Sequence, residues 1–314
     1  MILKNKIVLS LILFFLLFST LYYFINNIKN RTVINEEKYY LLEKNTSQKK
    51  ILSQLKSKEI YISHLNWLLA SLFHENSFTP KAGEYIIPKN FSVFEIQNLF
   101  QKGKTLTRNF TLVEGSTAQE LERKILDNPY LTGEIKKLKE GIYKPDTYFF
   151  KYGYPRNRLL KRMKKAQDEI LNNVWKEKPK NFILKNKNEL LILASIIQKE
   201  SSKLEDSKLV ASVFINRLKK KMKLQSDVTL AFGFKVNGQK ITRKMLNSKN
   251  PFNTYQFHGL PPTPISYPGE NALNSLKHIK KTDYLYFVSD GNGGHRFSKT
   301  YNSHKKNIKL WKNK

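Results

Sequence analysis

One apolar segment near the N-terminus restricts the possible folds of this chain more than any other feature. Residues Ile7 to Ile25 read IVLSLILFFLLFSTLYYFI and carry no charged side chain. As a helix this segment would extend about 28 Å, which matches the hydrocarbon core of a bilayer. A secretory signal usually has a shorter apolar region, and the residues from Asn26 to Arg31 contain no small-residue cleavage pattern. We therefore predict a permanent transmembrane anchor over residues 7–25, with a cleaved signal peptide or a buried terminal helix as the alternatives.

The charges that flank this segment indicate its orientation only weakly. Lys4 and Lys6 precede it, and basic residues before a first span favour a cytoplasmic N-terminus. Lys29 and Arg31 follow the segment and reduce this bias. We predict a short cytoplasmic N-terminus over residues 1–6, although the charges alone do not decide the topology.

The composition excludes several classes of function. The chain has 314 residues, a formal net charge of +31, six histidines and no cysteine. Without cysteine there are no disulfides and no thiol catalysis, and the histidines lack metal-ligand spacing, so we predict no metal and no other cofactor. A basic chain could bind nucleic acid, anionic lipid or another anionic polymer. Most of the basic residues are lysines dispersed along the sequence, which is typical of a coding bias, and we predict no nucleic-acid partner.

Apolar periodicity and turn signals predict an α+β protein that is built from successive parts. A polar tether and a short packing helix are expected over residues 26–80, followed by a strand and a helix over 81–108. Short strands, turns and one helix are expected in a connecting region over 109–187. The last domain, over 188–314, begins with a strongly apolar helix and ends in a loop-rich third.

An acidic residue stands where that apolar helix should break. The run from Leu190 to Ile197 is too apolar on all sides for a surface helix, so we predict that it is buried. The sequence from Ser202 to Glu205 has the form of a capping box, which indicates that a second helix starts at once. Glu200 is therefore predicted to lie in an elbow between two packed helices.

A carboxyl group in such an elbow can be buried enough to keep its proton near neutral pH, as a general acid requires. The alternative is that Glu200 caps a helix or pairs with one of the many lysines. The spacing of the residues does not decide between these interpretations.

Several ordered motifs extend this region over more than a hundred residues and resemble the endolytic murein transglycosylase family, the MltG or YceG-like proteins. Upstream motifs carry the likeness back to about Lys81. The stretches that carry the resemblance are Lys81–Tyr85, Val113–Gly115, Glu140–Tyr148, Ala194–Gly233, Asn250–Tyr255, Gly259–Ile265, Pro268–Gly269 and Thr282–Phe297.

The resemblance implies a fold and a catalytic residue. The expected fold is α+β, with the transmembrane helix, a small LysM-like subdomain over residues 81–108 and a helix-rich lytic transglycosylase domain over 188–314. The family motif usually reads Glu-Lys-Glu with the second acid catalytic, and this chain has Gln198-Lys199-Glu200. Glu200 is therefore the expected general acid and base.

The resemblance and the residue types together suggest a set of substrate-binding side chains. Gln225, Asp227 and Thr229 are expected to line the cleft and orient the sugar or Glu200, or else to form turn and cap hydrogen bonds. Asn216 could bind an N-acetyl group or hold a loop. Tyr255 could stack on a sugar ring or belong to the core.

The activity implied by the resemblance is cleavage of the bond between N-acetylmuramic acid (MurNAc) and N-acetylglucosamine (GlcNAc) in nascent peptidoglycan, leaving anhydro-MurNAc ends. The implied location is the bacterial plasma membrane, with one span and the catalytic domain outside. Expected partners are glycan strands, the membrane and possible cell-wall synthases. The alternatives are a muramidase that uses Glu200 and Asp227 with water, and a non-catalytic peptidoglycan-binding scaffold.

Overall fold

The structure is a computed structural model that describes residues 2–201, 203–236 and 240–312, with the backbone alone for residues 2–7 and 9. The chain divides into two compact units, which are described separately. Unit 1 comprises residues 1–108 and 149–153, and unit 2 comprises residues 109–148 and 154–314.

Unit 1 contains four helices and a two-stranded sheet in its described residues. In chain order its elements are α1 (Ile2–Asn30), β1 (Lys38–Leu42), α2 (Gln48–Ser57), α3 (His64–Ser71), β2 (Gly83–Ile87) and α4 (Val93–Lys102).

Helix α1 contains the apolar segment that the sequence predicted as an anchor. Its part from Ser10 to Asn30 is long and apolar enough to cross a membrane. Large side chains along it, such as Leu11 and Phe15, are more than half exposed within the chain. One apolar helix of spanning length is therefore present, and it extends beyond both predicted ends.

The segment expected to be a tether contributes a strand to a core. Strand β1 pairs antiparallel with β2, from Lys38 opposite Ile87 to Leu42 opposite Gly83. Tyr40 and Leu42 alternate into the interior and pack in one cluster with residues of α2, α3 and α4. The sequence predicted a polar tether in this part of residues 26–80, whereas residues 38–42 form a paired strand whose alternate apolar side chains are buried.

Two strands, β3 and β5, have residues in both units, and the other elements from α5 onward belong to unit 2. In chain order the elements are β3 (Thr107–Thr111), α5 (Ala118–Leu126), β4 (Leu131–Thr132), β5 (Thr147–Lys151), β6 (Tyr154–Pro155), α6 (Arg156–Lys176), α7 (Lys187–Glu200), α8 (Leu204–Lys219), α9 (Asp227–Gly233), α10 (Arg243–Leu246), α11 (Glu270–Lys277), β7 (Tyr286–Ser289), β8 (His295–Ser298) and α12 (Tyr301–Lys312).

Helix α7 is the centre of unit 2. Every residue from Leu190 to Gln198 is buried, and the helix packs against α6, α8, α9 and α11. Each large apolar side chain buried in this way contributes roughly 1.5–3 kcal/mol of transfer free energy. This confirms the buried helix that the sequence predicted, and it fixes the position of the residue at its C-terminal end.

The elbow after α7 is short. Ser201 has an extended backbone, with φ −150° and ψ 141°, and α8 begins at Leu204. The capping box predicted at Ser202 lies outside the described residues. Lys203 precedes α8 and provides no side-chain cap. The structure therefore confirms that two helices meet directly after Glu200.

A hairpin of β7 and β8 packs near this elbow. The strands pair antiparallel from Tyr286 opposite Ser298 to Ser289 opposite His295. Strand β7 is half-buried along its whole length and contacts both α8 and α12.

Candidate active site

Glu200 is the last residue of α7 and is partly buried in the elbow. Its Oε1 accepts a hydrogen bond of 2.6 Å from the hydroxyl of Ser226, a residue that is itself buried. Burial raises the pKa of Glu200, while the Ser226 hydrogen bond and the charge of His295 act in the opposite direction and the charge of Asp227 adds to the rise. The net effect is a pKa above the ordinary range, so this carboxyl retains its proton more readily than a free glutamate.

The loop that carries Ser226 is held by Thr254. The backbone N–H of Ser226 donates to the Thr254 hydroxyl at 3.0 Å, and the backbone N–H of Gln225 donates to the Thr254 carbonyl at 3.1 Å. Gln225 has a φ of 50°, in the left-handed region that non-glycine residues adopt rarely. These bonds fix the Ser226 hydroxyl in place opposite the end of α7.

Gln225 is exposed, and its side chain points back to the protein. Its Oε1 accepts a hydrogen bond of 3.0 Å from Arg217 on α8, which also donates to the carbonyls of Lys223, Leu224 and Leu285. Burial lowers the pKa of Arg217, whose side chain also lies 5.2 Å from the ring centre of Tyr286. Arg217 therefore ties the loop before Ser226 to the β7–β8 hairpin.

Asp227 and Tyr255 form a second polar pair beside Glu200. The Tyr255 hydroxyl donates a hydrogen bond of 2.7 Å to Oδ1 of Asp227. Burial raises the pKa of Tyr255, and the charges of Asp227 and Glu200 raise it further, so the phenol stays protonated. Asp227 directly follows Ser226, the residue that donates to Glu200, and its charge acts on the Glu200 carboxyl.

Two of the predicted substrate-binding residues have contacts that are internal to the protein. Thr229 is fully buried, and its hydroxyl donates to the Ser226 carbonyl at 2.8 Å and contacts the Thr254 hydroxyl at 2.9 Å. The side-chain amide of Asn216 donates to the carbonyls of Thr282 and Tyr284 at 2.7 and 3.0 Å. These contacts favour positioning roles for Thr229 and Asn216, and sugar binding by them stays a prediction.

The structure adds a histidine and an aspartate to the site. His295, the first residue of β8, lies 2.7 Å through Nδ1 from Oδ2 of Asp206 in the first turn of α8. His295 lies in the stretch Thr282–Phe297 that carries the family resemblance, whereas nothing in the sequence around Asp206 marked it as a site residue. An acid in the first turn of a helix is so common that it gave no signal.

Comparison with known proteins relates the chain to one family. A sequence profile of the YceG-like family matches residues 40–310. The chain is 37% identical to the endolytic murein transglycosylase of Bacillus subtilis over 182 residues, which cover 57% of this chain and 49% of that protein. It is 29% identical to the endolytic murein transglycosylase of Streptococcus pneumoniae over 266 residues, which cover 69% of this chain and 48% of that protein.

A solved structure gives the same relationship. The crystal structure of a YceG-like protein from Listeria monocytogenes superposes with a TM-score of 0.55 and 28% identity, covering 87% of this chain and 99% of that one. The chain spans about half the length of the curated relatives it matches. The profile covers most of the sequence, and this chain is a member of the YceG-like family.

Proposed function

We propose that this chain is a membrane-anchored endolytic lytic transglycosylase that cuts nascent peptidoglycan strands between MurNAc and GlcNAc. The observation that carries the proposal is the placement of Glu200, a partly buried carboxyl with a raised pKa that accepts a hydrogen bond from Ser226. The relatives from B. subtilis and S. pneumoniae are endolytic murein transglycosylases, which supports the proposal.

The reaction needs one group that can act first as an acid and then as a base. Protonated Glu200 gives its proton to the glycosidic oxygen, the bond from that oxygen to C1 of MurNAc breaks, and positive charge develops at C1. The C6 hydroxyl of the same MurNAc then attacks C1 and returns its proton to Glu200. A new C1–O6 bond closes the anhydro ring, Glu200 is restored and no water is consumed.

The remaining side chains of the site have supporting roles in this proposal. Ser226 holds one carboxyl oxygen of Glu200, so that the other oxygen is directed to the substrate. Asp227 and Tyr255 line the cleft and bind the sugar, with Gln225 at its rim. Asn216 and Thr229 belong to the same substrate-binding set through the loops that they hold.

The finer architecture forms part of the proposal. Helix α1 is the single membrane span, with residues 1–6 in the cytoplasm and the catalytic domain over 188–314 on the outer side of the plasma membrane. Residues 81–108 correspond to the LysM-like subdomain and 109–187 to a connecting region. A subdomain of this kind would bind glycan strands, and cell-wall synthases that make nascent strands are the expected neighbours.

Analysis of the released ends tests the activity. The full chain, purified in detergent, should release muropeptides from murein with anhydro-MurNAc ends, each lighter by one water than a hydrolysis product. Asp227→Asn should reduce the rate less than Glu200→Gln, because Asp227 is not required to transfer a proton. Reducing ends, together with equal damage from both substitutions, would instead identify a two-carboxylate muramidase, and binding without release of ends would identify a scaffold.

A further inference from the structure

The pair formed by Asp206 and His295 is well shielded from solvent and is built from two distant parts of unit 2. The side chains are 13% and 14% exposed, and the hydrogen bond between them is 2.7 Å long. The aromatic rings of Phe287 and Phe297 meet the imidazole edge-on, with ring centres 5.0 and 6.1 Å away. The ring of His295 is therefore fixed in one orientation, with Nδ1 engaged by the carboxylate.

This pair is connected to the end of α7 through Ser201. The Ser201 hydroxyl donates to the Lys203 carbonyl at 3.5 Å, and the hydroxyl of Ser207 donates to the Ser201 carbonyl at 3.3 Å. The backbone N–H of Ser201 in turn donates to the Ile197 carbonyl at 2.8 Å and closes the last turn of α7. The residue directly after Glu200 is thus bonded to Ser207, the neighbour of Asp206 in the first turn of α8.

The charges around the pair favour its ionised form. Burial alone would raise the pKa of Asp206, but the hydrogen bond and the charge of His295 lower it overall. Burial would likewise lower the pKa of His295, but the bond and charge of Asp206, with the charges of Glu200 and Asp290, raise it overall. The imidazole is therefore more often cationic near neutral pH than a free histidine.

Glu200 faces groups of both signs. His295 on β8 is the cation that acts on it, Asp227 on α9 is the opposing anion, and Ser226 and Tyr255 are neutral donors. Asp290, in the turn before β8, has its Oδ1 occupied by the backbone N–H groups of Asn292 and Gly294 at 2.7 and 3.0 Å. Lys203 approaches this turn at Gly293.

We propose that His295 is a positioning residue, oriented by its hydrogen bond to Asp206, that stabilises the carboxylate which Glu200 becomes after it has given up its proton. This inference rests on the proposed function, in which Glu200 must pass through a carboxylate form between its two steps. Burial supplies the protonated acid, but burial also penalises the carboxylate that follows. A fixed cation whose charge acts on Glu200 offsets that penalty.

The pH dependence of kcat/KM tests this role, because it reports the essential groups of the free enzyme. Activity should fall at high pH as Glu200 loses the proton that it must donate. In His295→Gln the opposing cation is gone, the carboxylate is less stable, and this alkaline limb should move to higher pH. The weaker acid should also lower kcat by about tenfold, an effect that corresponds to roughly 1.4 kcal/mol of activation free energy.

Two further variants separate charge from shape. Asp206→Asn keeps the size of the side chain but removes the anion that keeps His295 charged, so its alkaline limb should move in the same direction as in His295→Gln. His295→Lys keeps a cation and should return the limb toward that of the unchanged chain. His278→Gln, at an exposed position after α11, is the matched control and should leave the profile as it is.

All variants are compared as full-length chains in detergent, with thermal unfolding to confirm that each is folded. If His295→Gln and Asp206→Asn lower kcat while the alkaline limb stays where it was, or if His295→Lys behaves like His295→Gln, the pair is only structural and this inference is wrong. The ends released by the unchanged chain provide the separate test of the proposed function. Reducing ends would overturn that function whatever the pH profiles show.

Discussion

Glu200 and Glu140 are two partly buried carboxyl groups of unit 2 whose surroundings differ. Burial raises the pKa of Glu200 at the α7–α8 elbow, and it raises the pKa of Glu140, before the turn at Gly141, to about 7. One oxygen of Glu140 accepts the backbone N–H of Ala118 at 2.9 Å, and the other is buried with no hydrogen-bond partner. Glu200 instead faces the Ser226 hydroxyl and the cation of His295.

The comparison shows that burial and catalytic competence are separate properties. A buried carboxyl becomes a proton donor at neutral pH wherever the surrounding protein excludes water. To function as an acid and then as a base, the group must also have partners that tolerate both of its forms. Ser226 can donate to the carboxylate and His295 supplies an opposite charge, whereas the nearest charge acting on Glu140 is that of Glu120, which raises its pKa further.

The largest expected effect follows from replacing each carboxyl by an amide. Glu200→Gln cannot donate a proton, so the rate of release of anhydro ends from murein should fall by about two to four orders of magnitude, the usual worth of a general acid. Glu140→Gln is the matched control, since it makes the same chemical change at the other buried site and should retain most of the activity. Equal losses in the two variants would show that burial, and not the elbow, is what matters.

The second prediction concerns stability and pH. The folded-state pKa of Glu140 is about 7, above the ordinary value of 4.5, so the neutral form is favoured by folding. The resulting stabilisation of the folded state is complete below the pKa that Glu140 has in the unfolded chain. It is lost as the pH rises through the folded-state pKa of about 7. After allowance for partial exposure, the loss should be on the order of 2 kcal/mol.

Glu140→Gln should remove this pH dependence, because an amide has no proton to lose. Urea unfolding at pH 5 and pH 8 measures the effect: the variant should gain stability relative to the unchanged chain at pH 8 and not at pH 5. A variant that is less stable than the unchanged chain at both values would show that the Ala118 hydrogen bond, and not desolvation, dominates at this site.

The smallest expected effect comes from the hydroxyl beside Glu200. Ser226→Ala removes a donor that favours the carboxylate, so the alkaline limb of kcat/KM should move to higher pH. A hydrogen bond to a charged group contributes about 1.5–3 kcal/mol, which sets an upper bound of roughly ten- to a hundred-fold on the loss of kcat. Ser275→Ala on α11, whose buried hydroxyl donates to the Ala272 carbonyl, provides a control for the loss of a buried hydroxyl.

Much of the architecture around the acid follows from local pattern. The apolar run from Leu190 to Ile197 predicted a buried helix, and the capping-box pattern from Ser202 to Glu205 indicated that a second helix follows Glu200 at once. The spanning length of the segment from Ile7 to Ile25 could also be predicted, because the rise per residue of a helix and the thickness of a bilayer core are nearly constant. These features depend on residues that are close together in sequence.

Pairings between residues that are distant in sequence could not be predicted in the same way. The strand at Lys38–Leu42 looked like a polar tether, since its partner Gly83–Ile87 lies some forty residues away and only the pairing buries its alternate side chains. Ser226 lies in the loop before α9, Asp206 lies on α8 and His295 lies on β8. Nothing in their local sequence indicates that these residues come together near Glu200.

The sequence by itself determined that the chain has an apolar helix of spanning length, a buried helix that ends in an acid, and the motifs of one family. The tertiary structure decided which groups surround that acid and therefore which of its two charge states is favoured. The physical reason is that helix formation and burial follow from short-range periodicity, whereas the pKa of a carboxyl depends on charges and donors that folding brings together from distant parts of the chain.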